Sequence, residues 1–118
     1  MLAELTRKEI IFILNGGKNL AGLNLTSLNL SGFNLAGVDL SHANLGVTGL
    51  SDANLSDAKL QGVNLTNANL TNANLTNADL TDANLTNANL SKAKVTGEQL
   101  ARAKSLAGTT MPDGTKHP

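Results

Sequence analysis

The side chains that could move a proton, attack a carbon or hold a metal are few in this 118-residue chain. They comprise two histidines, nine carboxylates and no cysteine. A thiol nucleophile, a disulfide framework and a Cys-ligated metal are therefore excluded. General acid–base work needs a histidine or a carboxylate with a shifted pKa in a concave, partly dry site. Neither His42 nor His117 stands in a motif that would orient it, and His117 adjoins the C-terminus. Serines are numerous, but none has a base and an orienting acid placed beside it. Asp52 with Asp57, and Asp79 with Asp82, could draw a cation, yet neither pair offers the six or more oxygens that calcium takes. They read as solvated surface charge. No catalytic residue, metal ligand, cofactor or small-molecule substrate site is expected.

The elements that position these groups follow from one period. Leucine occupies every fifth position from Leu20 to Leu90, and Val95 and Leu100 keep the register. Residues 66–90 read TNANL-TNANL-TNADL-TDANL-TNANL. Two residues before each leucine sits a smaller apolar residue, as at Ala68, Ala73 and Ala78, with a polar residue between. In a helix a five-residue step turns about 140°, so the leucines would spiral round the axis and form no stripe. In an extended segment, residues two apart share a face. Ala68 and Leu70 then point inward together with Asn69 outward, and Thr71 and Asn72 make the corner. Asparagine at this density also disfavours a helix. One such side cannot bury its apolar face alone, so successive sides must coil and stack into a solenoid.

The period sets the length of a side, not the number of sides. Ala68-Asn69-Leu70-Thr71-Asn72 resembles the A(D/N)LXX motif of the pentapeptide-repeat family, and the resemblance covers fifteen repeats over residues 23–97. It implies an all-β solenoid, a right-handed quadrilateral parallel β-helix of about four coils, resembling cyanobacterial-type members. Residues twenty apart would then stack, with asparagine amides bonded along their columns. Lys59 would lie between Asp39 and Asp79, an arrangement of alternating charge that is mutually attractive.

Three segments follow. Residues 1–22 form an N-terminal capping helix and lead-in, 23–97 the repeat, and 98–118 a C-terminal cap. Thr6 with Glu9 makes a capping box, and Leu5 with Ile10 suits the accompanying hydrophobic staple. Ile10, Ile11, Ile13 and Leu14 are expected to cover the open coil, and residues 15–17 (Asn-Gly-Gly) to stop the helix. The first coil places Leu23, Leu28, Phe33 and Val38 where later coils use alanine, which suits a wider interface with that helix. A second capping box at Thr96 to Gln99 starts a helix through about Ser105, with Gly108 as its stop. Two short strands round Pro112-Asp113-Gly114 close the chain. Covered ends block edge-to-edge association, so a monomer is expected.

The chain has zero net charge, unevenly spread. Residues 23–91 carry five aspartates against Lys59, while 92–118 carry Lys92, Lys94, Arg102, Lys104 and Lys116 against Glu98 and Asp113. A basic stripe with stacking aromatics is missing, so nucleic-acid binding is not expected. The longest apolar run, residues 10–14, is too short to span a bilayer or form a signal core, so no membrane association and a cytoplasmic location are expected.

The expected function is a non-catalytic structural or protein-interaction scaffold for an unidentified protein. The family resemblance adds an alternative, a DNA mimic that modulates DNA gyrase. Duplex DNA carries one charge per about 1.7 Å, far denser than the few carboxylates spread along this shaft. The uniformity of residues 66–90 also suits an engineered or consensus scaffold with no specific activity. Recognition is most expected where the repeat departs from its pattern: at Val47 and Thr48, at Lys59, and at Lys92 and Lys94.

Overall fold

A computed structural model describes residues 5–118. The repeat forms a solenoid of short parallel bridges, each joining residues twenty apart: Asn24 to Asn44 to Asn64 to Asn84 on one face, and Asn34 to Asn54 to Asn74 to Lys94 on another. Each side pairs through a single residue, the outward one between the small apolar residue and the leucine. The turn follows at once, so no long strand develops. Pairing begins at Asn19, which bridges Asp39.

Side-chain alternation places the core as the period predicts. The leucines at every fifth position from Leu20 to Leu90 are fully buried, as are the alanines two residues before them from Ala43 to Ala88, forming one continuous stack. Fully burying a leucine contributes about 1.5–3 kcal/mol, so this ladder supplies most of the driving force.

The corners have a specific cause. The residue two after each leucine adopts a left-handed conformation, with φ near 60° at Asn67, Asn72, Asn77, Asp82 and Asn87. Asn and Asp tolerate that region. The outward asparagine locks the corner from the other side. Asn69 Oδ1 accepts from the Thr71 N–H at 3.1 Å and from Thr71 Oγ1 at 2.6 Å. The same pair of bonds recurs at Asn64 with Thr66, Asp79 with Thr81 and Asn84 with Thr86. This corrects the expected amide ladder. Asn64 Nδ2 does donate to Asn44 Oδ1 at 3.2 Å, but the regular role of these amides is to hold their own corner. An oxygen two residues before the turn satisfies a backbone donor locally, and every repeat can make that bond without waiting for its neighbour.

Helix α1 spans Arg7–Gly16, and both bonds of the Thr6–Glu9 capping box are present. Ile10 is fully buried, and Leu5, Ile13 and Leu14 are half-buried against the core with Leu23, Leu28 and Phe33 of the first coil. Arg7 stacks 4.5 Å above the Phe33 ring and donates to the Asn29 carbonyl. Ile11 does not cover the coil as expected; it is exposed together with Phe12, because a helix resting on a flat end offers only one stripe to it.

Helix α2 spans Gly97–Ala101, with the expected box between Thr96 and Gln99. It is shorter than predicted. The Arg102 N–H closes it by donating to the Gln99 carbonyl, and the chain re-enters the solenoid. Ser105 pairs with Asn84 and Thr110 with Asn89, so this turn carries one extra residue. Leu106 and Met111 then occupy leucine positions, half-buried against the core. Gly108 is therefore a solenoid corner, with φ 69°, rather than a helix stop. Thr110 pairs antiparallel with Lys116 round the Pro-Asp-Gly turn. No helix among the described residues is long and apolar enough to cross a membrane.

Candidate functional site

The most irregular repeat is residues 45–50. Thr48 points inward and is fully buried, with Oγ1 donating to the Leu45 carbonyl at 2.5 Å. A buried hydroxyl so paired is tolerated where alanine is the rule. Thr109 repeats the device in the last turn, with Oγ1 bonded to the Leu85 carbonyl at 2.6 Å. Nothing in the pentapeptide pattern announces that second threonine, because it follows the one-residue insertion.

Val47 is the strained member. It occupies the left-handed corner at φ 59° and is 61 % exposed. A β-branched residue there is an outlier, and such strain costs on the order of 1–3 kcal/mol. Val47→Asn is expected to raise stability by about 1 kcal/mol, read as a higher midpoint in urea or thermal unfolding. An unchanged or lower midpoint would show that the valine side chain earns its place by packing.

Lys59 lies in bridge register between Asp39 and Asp79. Asp39 is held below its ordinary pKa chiefly by bonds from the Ser41 hydroxyl and N–H, with smaller help from the charges of Lys59 and His42. Asp79 is lowered mainly by Thr81, with Arg102 and Gln61 contributing. Asp113 is lowered by Thr115 in the terminal turn. The linkage has a definite sign. These carboxylates contribute stability that is fully present above their unfolded value of 3.8, and it is lost as pH falls through their lower folded values. Asp39→Asn with Asp79→Asn should therefore leave the neutral-pH melt nearly unchanged and flatten the acid limb below about pH 4. A steeper acid limb in the double variant would reverse this assignment.

His42 and Lys92 are exposed corner residues, with φ of 59° and 60°. The His42 ring lies over Gly62, its neighbour one coil on. His117 Nδ1 lies 3.0 Å from the Pro118 carbonyl oxygen. The structure does not bring the two histidines together, and the described residues contain no group of three or more His, Cys, Asp or Glu side chains able to hold a metal.

A groove of about 580 Å³ opens where α2 leaves the solenoid. It is bordered by Ala78, Asp79 and Leu80 on the last complete rung and by Lys94, Gln99 and Arg102 beside it. Gln99 holds this junction. Its Nε2 donates to the Leu75 carbonyl at 2.7 Å and the Ala78 carbonyl at 2.9 Å, while its Oε1 accepts from the Thr96 N–H at 2.9 Å. Elsewhere the carbonyl equivalent to Ala78 accepts from a backbone N–H of the next coil, as the Ala73 carbonyl does from the Lys94 N–H. The glutamine side chain thus substitutes for the N–H that its own residue turns into the helix cap. The capping box could be read from sequence, but this second role of Gln99 could not.

A stacked rod with polar corners and an aliphatic interior is a β-solenoid repeat protein. The Pentapeptide repeats family model matches in eight copies, over residues 19–46, 50–87 and 64–97, and the chain belongs to that family. It is similar to a pentapeptide repeat protein from Nostoc Pcc 7120, at 33 % identity over 80 % of this chain and 79 % of that one, with a TM-score of 0.75. It is also similar to Rfr23, a pentapeptide repeat protein from the cyanobacterium Cyanothece 51142, at 35 % identity over 86 % of this chain and 65 % of that one, TM-score 0.67. QnrB1, a plasmid-mediated fluoroquinolone resistance protein, shares the fold at 15 % identity over 80 % of this chain and 58 % of that one, TM-score 0.51. No curated protein matches the chain in sequence.

Proposed function

We propose that the chain is a non-catalytic scaffold that presents rigid polar faces to a partner protein. The observation that carries this reading is the use of its outward polar groups. Carboxamide oxygens and hydroxyls bond to each other and to backbone at corner after corner, which stiffens the surface and, among the described residues, leaves no side chain poised as acid, base or nucleophile. Five-residue sides with pairing every twenty residues support a right-handed quadrilateral β-helix of about four coils. Helix α1 covers one end, and α2 with the terminal hairpin covers the other, which supports a monomer; the location proposed is the cytoplasm.

Photo-crosslinking under native expression tests the scaffold reading. A discrete crosslinked protein, lost when the outer face is altered at Val47, Lys59, Lys92 or Lys94, is the expected result. A native-level screen with no crosslinked product would count against it. The likeness to QnrB1 concerns fold alone, and the five aspartates of residues 23–91 are sparse beside the charge density of duplex DNA. Micromolar protein is accordingly expected to leave DNA gyrase supercoiling unaffected. Dose-dependent inhibition or protection would replace the scaffold reading with the DNA-mimic one.

A further inference from the structure

Every asparagine in the chain but one precedes leucine or alanine; Asn15 precedes glycine. The difference is chemical. A backbone nitrogen can attack the carboxamide of the residue before it, and a glycine on that nitrogen leaves the approach open and the backbone free to turn into it. At the other asparagines the attack is blocked. The N–H that follows each of them donates to a backbone carbonyl, as Leu65 does to Asn84 at 2.8 Å and Ala68 to Leu65 at 3.0 Å. Carboxamide oxygens such as those of Asn64 and Asn69 are held on their corners as well.

Asn15 has neither restraint. It is exposed, and among the described residues its carboxamide has no hydrogen-bond partner. Gly16 is the last residue of α1, so its N–H rests only on the helix's own final turn. That turn is weakly closed. The C-cap residue Gly17 is extended, with φ 162° and ψ −170°, and donates no bond back to the helix, unlike Arg102 behind α2. A Cβ at Gly16 or Gly17 would meet nothing within 4 Å, so no neighbour braces this end. Such helix ends open locally, and each opening brings the Gly16 nitrogen within reach of the Asn15 side chain. Asp113 before Gly114 is the internal contrast. Its Oδ1 accepts from the Thr115 N–H at 3.0 Å, and the Gly114 N–H is tied to the Met111 carbonyl at 2.8 Å.

We infer that Asn15 with Gly16 is a site of spontaneous deamidation, and that its conversion loosens the N-terminal cap. The Gly16 nitrogen gives its proton to hydroxide and forms a bond to Asn15 Cγ. The Cγ–Nδ2 bond breaks, and the leaving nitrogen takes up a proton and departs as ammonia, which leaves a five-membered succinimide. Water then opens the ring at either carbonyl to give aspartate or isoaspartate, and nothing is oxidised or reduced. Either product places a carboxylate at the negative end of α1, whose last turn holds no basic residue. Isoaspartate also inserts a methylene into the backbone between α1 and the first bridge at Asn19. Both changes act on the helix that lays Ile10, Ile13 and Leu14 against the first coil.

The test ages the full chain in warm, mildly alkaline buffer and follows the tryptic peptide of residues 9–18 by mass spectrometry. That peptide is expected to gain the mass of an amide-to-acid exchange, with isoaspartate the main product, at a rate that rises with hydroxide. The rate should lie within about tenfold of that in the capped peptide acetyl-LNGGK-amide, which copies residues 14–18. Gly16→Ala, for which the structure has room, should slow the conversion by about tenfold or more. The repeat asparagines and Asp113 should stay unchanged over the same period. A slower rate in the folded chain than that range, or earlier conversion of a repeat asparagine, overturns the site. The aged form, separated by its added charge, should exchange the amide hydrogens of Ile10 to Leu14 several-fold faster than the fresh protein, with residues 40–90 unaffected. Equal exchange in the two forms overturns the loosening of the cap.

Discussion

Leu70→Asp is expected to abolish the cooperative unfolding transition, whereas Asn69→Asp, one residue away, should be nearly silent. Leu70 is fully buried in the aliphatic stack, in line with Leu50 one coil before it and Leu90 one coil after. A carboxylate there meets methyl groups on every side. The effective penalty for an unpaired buried charge is several kcal/mol, against a total stability of about 5–15 kcal/mol for a domain. A repeat rod is also held by neighbour contacts alone, so a failed central coil separates the two ends. Asn69 faces outward, and the atom it contributes is one oxygen, which accepts from Thr71 N–H and Oγ1. Aspartate offers the same oxygen, as Asp79 does toward Thr81. Its expected effect lies within about 0.5 kcal/mol. Urea unfolding followed by circular dichroism distinguishes the two outcomes, and equal tolerance of both substitutions would overturn the inside–outside assignment.

Gln99→Glu should be the most damaging single-atom exchange at the C-terminal end. The Oε1 bond to Thr96 survives it, but the amide nitrogen that feeds the Leu75 and Ala78 carbonyls becomes an oxygen facing them. Removing the donor, as in Gln99→Ala, leaves the Ala78 carbonyl without a partner and the Leu75 carbonyl with only the Ala78 N–H, and should cost about 1–3 kcal/mol. Glutamate adds lone-pair repulsion and should cost more than alanine. The pH dependence separates repulsion from simple loss. A carboxyl that is stabilised when protonated has its folded pKa raised above its unfolded value of about 4.3. Its stability is then fully present below that value and is lost as pH rises through the folded pKa. The glutamate variant should recover toward wild type in acid, while the alanine variant should not. Parallel pH profiles for the two would mean that Gln99 acts by packing and not by donating.

Legibility differed along the chain for physical reasons. Both capping boxes were readable, because a threonine and an acceptor three residues on satisfy local donors whatever surrounds them. Val47 was readable as an outward apolar residue but not as a strained one, since its sign of φ is imposed by the coil. The length of α2 was misjudged. Helical propensity ran on to Ser105, but pairing with Asn84 captured that residue for the solenoid. Likewise the asparagines were expected to bond up their columns, and the nearer corner donors took their oxygens instead.

By itself, the sequence determined the interior and the period. Side chains alternate along an extended segment, so a five-residue repeat of alanine and leucine states which atoms meet water and which do not. The tertiary structure alone decided the end. Where one column stops, which backbone donors remain open at Asn77 and Leu80, and that Gln99 fills the carbonyls beside them all depend on residues twenty or more positions apart. Hydrogen bonds between coils join residues that no local pattern connects, and α2 forms where one of those connections is missing.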